Sequence, residues 1–178
     1  MTRLHTVAPD QAGQEAAELF GIVKRNIGKV PNVYATIGSN APAVLAHMLD
    51  TGATLAKSSL SRREQEAINL AVSEATGCDY CVAAHTMTGK MAGYTAEQTR
   101  ELRSGAYVED ARIDALVKFA LQLVQQRGTL DAAAVDALKA AGFDDRQLVE
   151  IPLVVSAILL TNMVNRINDT TLDFPRAA

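Results

Sequence analysis

The segment Ser61–His85, SRREQEAINLAVSEATGCDYCVAAH, contains two helix starts, one helix stop and four side chains with useful chemistry. Ser61-Arg62-Arg63-Glu64 has the form of a capping box, in which serine hydroxyl and glutamate carboxylate each satisfy the other's free backbone N–H. A helix is therefore expected from Ser61 to about Thr76. Ile68, Leu70, Ala71, Val72 and Ala75 give it a broad apolar face, while Glu66, Asn69 and Ser73 form a polar stripe at i, i+3 and i+7. Gly77 stops the helix, because glycine turns left-handed without a Cβ penalty. Cys78-Asp79-Tyr80-Cys81 then opens a second helix running to about Ala92. With a single glycine between them the two helices fold back as a hairpin.

Outward from this hairpin nearly every segment repeats with helical period, and none alternates long enough to argue a strand. Helices are expected from Asp10 to about Ile27, from near Pro42 to about Lys57, and from a second capping box at Thr95-Ala96-Glu97-Gln98 to Gly105. Asp110–Gln126, Asp131–Ala141 and Asp144 to about Asn168 complete the set. Gly28-Lys29-Val30-Pro31 breaks the first helix, and Asn32 is expected to cap a short segment ahead of Gly38-Ser39-Asn40. Apolar residues make up 48% and aromatics 4% of 178 residues, with no Trp, so aliphatic side chains do the packing. The expectation is an all-α, single-domain helical bundle over residues 1–178, with its core at about 15–170.

Charge and hydropathy narrow the partners. A net charge of -3 without a basic run gives no electrostatic footprint for nucleic acid. The start, Met1-Thr2-Arg3-Leu4-His5, lacks the apolar stretch of a signal peptide. The most apolar run, Ile151–Leu160, is about half a membrane span, so no membrane partner is expected. Two cysteines at redox-motif spacing fit a reducing compartment, and a cytoplasmic protein is expected.

Those cysteines stand three apart, a spacing that chance gives in roughly one chain in a hundred. On a helix Cys78, Cys81 and His85 occupy relative positions 0, 3 and 7 and project from one face. Cys78 falls at or just before the first turn, where free N–H groups and the helix dipole favour a thiolate. His85, one turn beyond Cys81, is placed to take its proton directly or through a water. Asp79 works against both thiols by like charge. The hairpin can carry Glu66 toward His85, where a carboxylate orients the imidazole and supports its protonated form. On these residues the attacking thiol stays open: His85 favours Cys81, the helix terminus Cys78.

Glu66, Cys78-x-x-Cys81 and His85 at these spacings resemble the alkylhydroperoxidase D-like pattern of the carboxymuconolactone decarboxylase superfamily. Gly28-Lys29-Val30-Pro31-Asn32 is similar to the opening segment of its peroxidase-related branch, and Asn162-Met163-Val164-Asn165-Arg166 to its closing helix. The resemblance implies a helical fold, assembled as a homotrimer or homohexamer, that reduces hydroperoxides without a cofactor through a dithiol–disulfide cycle, with a thiol or dithiol as electron donor. It implies Cys81 as the attacking thiolate, Cys78 as the resolving thiol, and His85 with Glu66 as the proton relay. The apolar Ile151–Leu160 stretch is expected to be buried in the domain core or against another subunit, and the resemblance favours the subunit. The family's namesake carries a histidine immediately before the second cysteine, where this chain has Tyr80. A phenol with a pKa near ~10 is a poor base at pH 7, so Tyr80 is assigned to substrate binding or packing.

Other readings of the same residues remain. The cysteines can be inert core residues, or zinc ligands with His85 and a fourth group such as Glu66 or His47. The dithiol can serve a non-enzymatic redox switch, and the superfamily also contains carboxymuconolactone decarboxylases, which this chain does not resemble at the cysteine pair. His5 and His47 have no partner chemistry in the sequence. Asn162, Asn165 and Arg166 are expected to cap, pair or hold an interface.

Overall fold

A computed structural model describes residues 2–177 and shows, among them, nine α-helices and no strand. The helices are α1 (Gln14–Ile27), α2 (Asn32–Asn40), α3 (Pro42–Leu55), α4 (Arg62–Ala75), α5 (Asp79–Met91), α6 (Ala96–Arg103), α7 (Ala111–Gln125), α8 (Ala132–Ala140) and α9 (Asp145–Asn168). The helical expectation holds along the whole described chain, with three local differences. Asp10 belongs to a separate 3-10 turn at Pro9–Gln11, and α1 begins only at Gln14 behind Gly13. Asn32 does not cap α2: Pro31 holds the cap position and Asn32 is the first helical residue, its amide donating to the Thr171 carbonyl at 2.9 Å. Gly38, Ser39 and Asn40 are inside α2, because Gly38 is where α1 crosses it. A Cβ at Gly38 would collide with the Phe20 ring and Leu45.

The central element is α4, packed on α5, α6, α7 and α9. Its Ile68 and Val72 enter the main apolar cluster with Phe20, Leu45, Leu116, Ile151 and Val154. Ala67, Leu70 and Ala71, on its other side, enter a second cluster with Tyr94, Leu102, Tyr107, Ile113 and Val117. Arg63 closes that cluster, its guanidinium 4.4 Å over the Tyr94 ring and donating to the Tyr107 hydroxyl at 2.7 Å. The expected polar stripe is buried as well: Ser73 bonds Asn162 of α9 at 3.4 Å, and Glu66 faces α5. Polar groups buried like Glu66 and Ser73 are kept only if each finds a partner, while Asn69 between them is half-buried.

The capping boxes at Ser61/Glu64 and Thr95/Gln98 both form, and a third forms at Asp144/Gln147. At Gly77, with φ 66°, the turn closes as a Schellman motif. The Gly77 N–H donates to Glu74 O at 2.9 Å and the Cys78 N–H to Ser73 O at 3.0 Å. Cys78 thus ends the α4 motif and caps α5 at once, which fixes the hairpin angle at the chemical residues.

Candidate active site

The Cys78 side chain, as N-cap of α5, accepts the Cys81 N–H at 3.2 Å. The two cysteines are paired as a disulfide with Cα atoms 5.3 Å apart, inside the normal range for such a bond. Both are buried. One turn further on, His85 Nδ1 lies 2.8 Å from Glu66 Oε2, so the hairpin brings together the two residues it was expected to approach. Because a carboxylate can only accept, Nδ1 carries the proton, and Nε2 is the nitrogen left to exchange one.

Thr88, a turn beyond His85, donates its hydroxyl to the same Glu66 oxygen at 2.8 Å. Burial pushes the Glu66 carboxyl up, but the His85 charge beside it and the hydrogen bonds from His85 and Thr88 outweigh this and hold it below the ordinary value. Thr88 was legible in principle, since it shares the helix face of His85 at i+3.

His85 also lines a chamber of about 340 Å³ with Tyr34, His47, Met48, Asn69 and the α9 residues Leu153, Ala157 and Leu160. His47, without a partner in the sequence, therefore shares a wall with His85. The Cys81 sulfur does not meet His85 directly: among the described residues it accepts instead from Asn165 Nδ2 of α9 at 3.3 Å. Of the α9 polar residues, Asn162 donates to Thr76 Oγ1 at 2.8 Å and Arg166 caps the Thr76 carbonyl, as expected for pairing and capping groups. Asn165 departs from that expectation by reaching the sulfur.

Tyr80 is buried, and its hydroxyl is already engaged, donating to Asp173 Oδ1 at 2.6 Å and accepting the Val33 N–H at 3.3 Å. Burial and the Asp173 carboxylate push the phenol well above its usual value, so it stays protonated. Asp173 also accepts from Lys29 at 3.0 Å and from the Asn32 N–H, at the start of α2, at 3.3 Å, so Tyr80 anchors the C-terminal segment. The tyrosine still lines a second, smaller cleft beside Cys78. As for a metal, no group of three or more His, Cys, Asp or Glu among the described residues is arranged to hold one.

Residues 42–120, which span the hairpin and both cysteines, match the Carboxymuconolactone decarboxylase family. Over nearly its full length the chain also superposes on a peroxidase-related protein of Ralstonia eutropha described as an alkylhydroperoxidase AhpD core. There the TM-score is 0.85 at 21% identity, covering 97% of this chain and 92% of that one. Less than half of the chain is thus similar to the Carboxymuconolactone decarboxylase family, and the whole chain shares the fold of that AhpD core. An alkyl hydroperoxide reductase of Mycobacterium tuberculosis is 30% identical over 95 residues, 53% of this chain and 28% of that protein. The chain thus aligns with little more than a quarter of that curated relative. The same fold occurs in the debrominase Bmp8, with TM-score 0.80, 17% identity, and coverage of 97% and 92%.

Proposed function

We propose that this protein is a thiol-dependent hydroperoxide reductase that works through a Cys78/Cys81 dithiol–disulfide cycle with His85 and Glu66 as proton relay. The observation that carries the reading is the 2.8 Å contact between Glu66 and His85 on the helix that bears both cysteines. In the reduced protein His85 takes the Cys81 proton through a water, and the thiolate attacks the distal oxygen of the hydroperoxide. The imidazolium, stabilised by Glu66, returns the proton to the leaving alkoxide. The Cys81 sulfenic acid condenses with the Cys78 thiol, releasing water and forming the disulfide, and an external thiol or dithiol restores the pair. The aliphatic walls of the chamber favour an organic hydroperoxide over hydrogen peroxide. Assembly is proposed as a homotrimer or homohexamer through the outer face of α9.

The test is steady consumption of cumene hydroperoxide with excess dithiothreitol. Cys78→Ser and Cys81→Ser are expected to abolish sustained turnover, and His85→Ala to lower it by about 100-fold. One slow equivalent of oxidation that stops despite reductant would sink the peroxidase and bring forward the redox switch. Turnover of 2,3,4-tribromopyrrole, the compound bound to Bmp8 in that structure, without turnover of peroxide would do the same in favour of dehalogenation.

A further inference from the structure

The disulfide has two differently built sides. Cys78 lines a cleft of about 210 Å³ together with Asp79, Tyr80, Asn165, Arg166 and Asp169, and Cys81 is not among the residues that line it. His85 belongs to the other chamber. Asn165 is 4% exposed and lines the cleft; its Nδ2 donates to the Cys81 sulfur, while its buried Oδ1 has no partner in the protein. A buried amide oxygen without a donor is costly, and the residue that carries it lines the cleft.

From this geometry we infer that the cleft beside Cys78 is the docking site for the thiolate of a small dithiol, and that Asn165 is the positioning residue that makes Cys81 the leaving thiolate. This rests on the dithiol cycle proposed above and assigns its reductive half to a separate face of the protein. The incoming thiolate attacks the Cys78 sulfur along the cleft. A new S–S bond forms between reductant and Cys78, the Cys78–Cys81 bond breaks, and its electron pair leaves on Cys81, where the Asn165 N–H holds the anion. The second thiolate of the reductant then attacks the mixed disulfide and closes as a cyclic disulfide. Cys78 departs as a thiolate that keeps its hydrogen bond from the Cys81 N–H. Two electrons pass from dithiol to protein, and Cys81 emerges as the anion needed at the peroxide step. Both sulfurs are buried, but the cleft borders Cys78, and Asn165 holds the departing Cys81.

Two measurements test this, and neither contains peroxide, so the assignment fails separately from the peroxidase reading. Oxidised wild-type protein is treated with 2-mercaptoethanol, quenched with N-ethylmaleimide and mapped by tandem mass spectrometry. The expected product carries mercaptoethanol on Cys78 and maleimide on Cys81; the reverse distribution overturns the proposal. In a Cys78→Ser background, the pH dependence of Cys81 alkylation by iodoacetamide is compared with and without Asn165→Ala. The midpoint is expected to rise by about one pH unit, with about tenfold slower alkylation at neutral pH. An unchanged midpoint shows that Asn165 only packs.

Discussion

Glu66 carries its charge where burial disfavours charge, and it does so because two donors on α5 converge on one of its oxygens. Its carboxyl titrates below the ordinary value of 4.5 despite desolvation. A carboxyl depressed in the folded state adds stability that is complete above the unfolded pKa and is lost as pH falls through the folded one. Thermal midpoints followed from about pH 5 down to pH 3 should therefore fall more steeply for the wild type than for Glu66→Gln. Parallel slopes would mean that the carboxylate is not stabilised by these contacts. The same substitution should slow peroxide turnover, since a neutral amide no longer supports the imidazolium, and Thr88→Val should do so more weakly.

Among elements, the two helices that enclose the site are tied at their starts. Glu64, whose carboxylate closes the α4 capping box, accepts Arg112 Nε of α7 at 3.0 Å. Arg112 also reaches Gln147, the third residue of the α9 capping box, at 3.2 Å, and stacks 3.7 Å over Phe143. One guanidinium therefore links two helix caps. Ser61→Ala should cost about 1 kcal/mol, the usual value of one cap. Arg112→Ala should cost about 2–3 kcal/mol because it strands a buried carboxylate, somewhat less than a fully enclosed pair would lose. Urea denaturation of both variants checks the order. Arg112→Lys should not recover the loss, since an ammonium cannot fork between Glu64 and Gln147.

At the scale of the molecule, α9 is a helix worn inside out. Reading Ile151–Leu160 alone suggested half a membrane span, but the helix has 24 residues and an 18-residue window within it has a mean hydropathy of 1.7, long and apolar enough to cross a bilayer. Inside the fold its Asn162, Asn165 and Asn168 face the core with partners on α4, α5 and α2. Outward it leaves Val149, Met163 and Ile167 exposed at 75%, 55% and 60%. These lie along one stripe with Leu153 and Leu160, which also line the His85 chamber. An apolar stripe opposite a polar, buried one fits a second copy of the chain rather than lipid on all sides. Sedimentation velocity at micromolar concentration should give a trimer or hexamer, and Met163→Glu with Ile167→Glu should shift it toward the monomer. A wild type that sediments as one chain would end that assignment.

The helices, their caps and the hairpin were legible because each depends on residues within a few positions of one another: Ser61 with Glu64, Gly77 with Cys78, Thr95 with Gln98. For the same reason the face shared by Cys78, Cys81 and His85 follows from helical spacing alone. Other contacts depend on which helix packs where, and no local period encodes that. Asn165 lies 84 residues from Cys81, and Asp173 lies 93 from Tyr80. Both pairs meet only because α9 and the segment after it cross the hairpin. The sequence by itself determined an all-α chain with a reactive-looking cysteine helix. Only the tertiary structure decided what each sulfur touches, because hydrogen bonds between distant segments are set by the packing of whole helices.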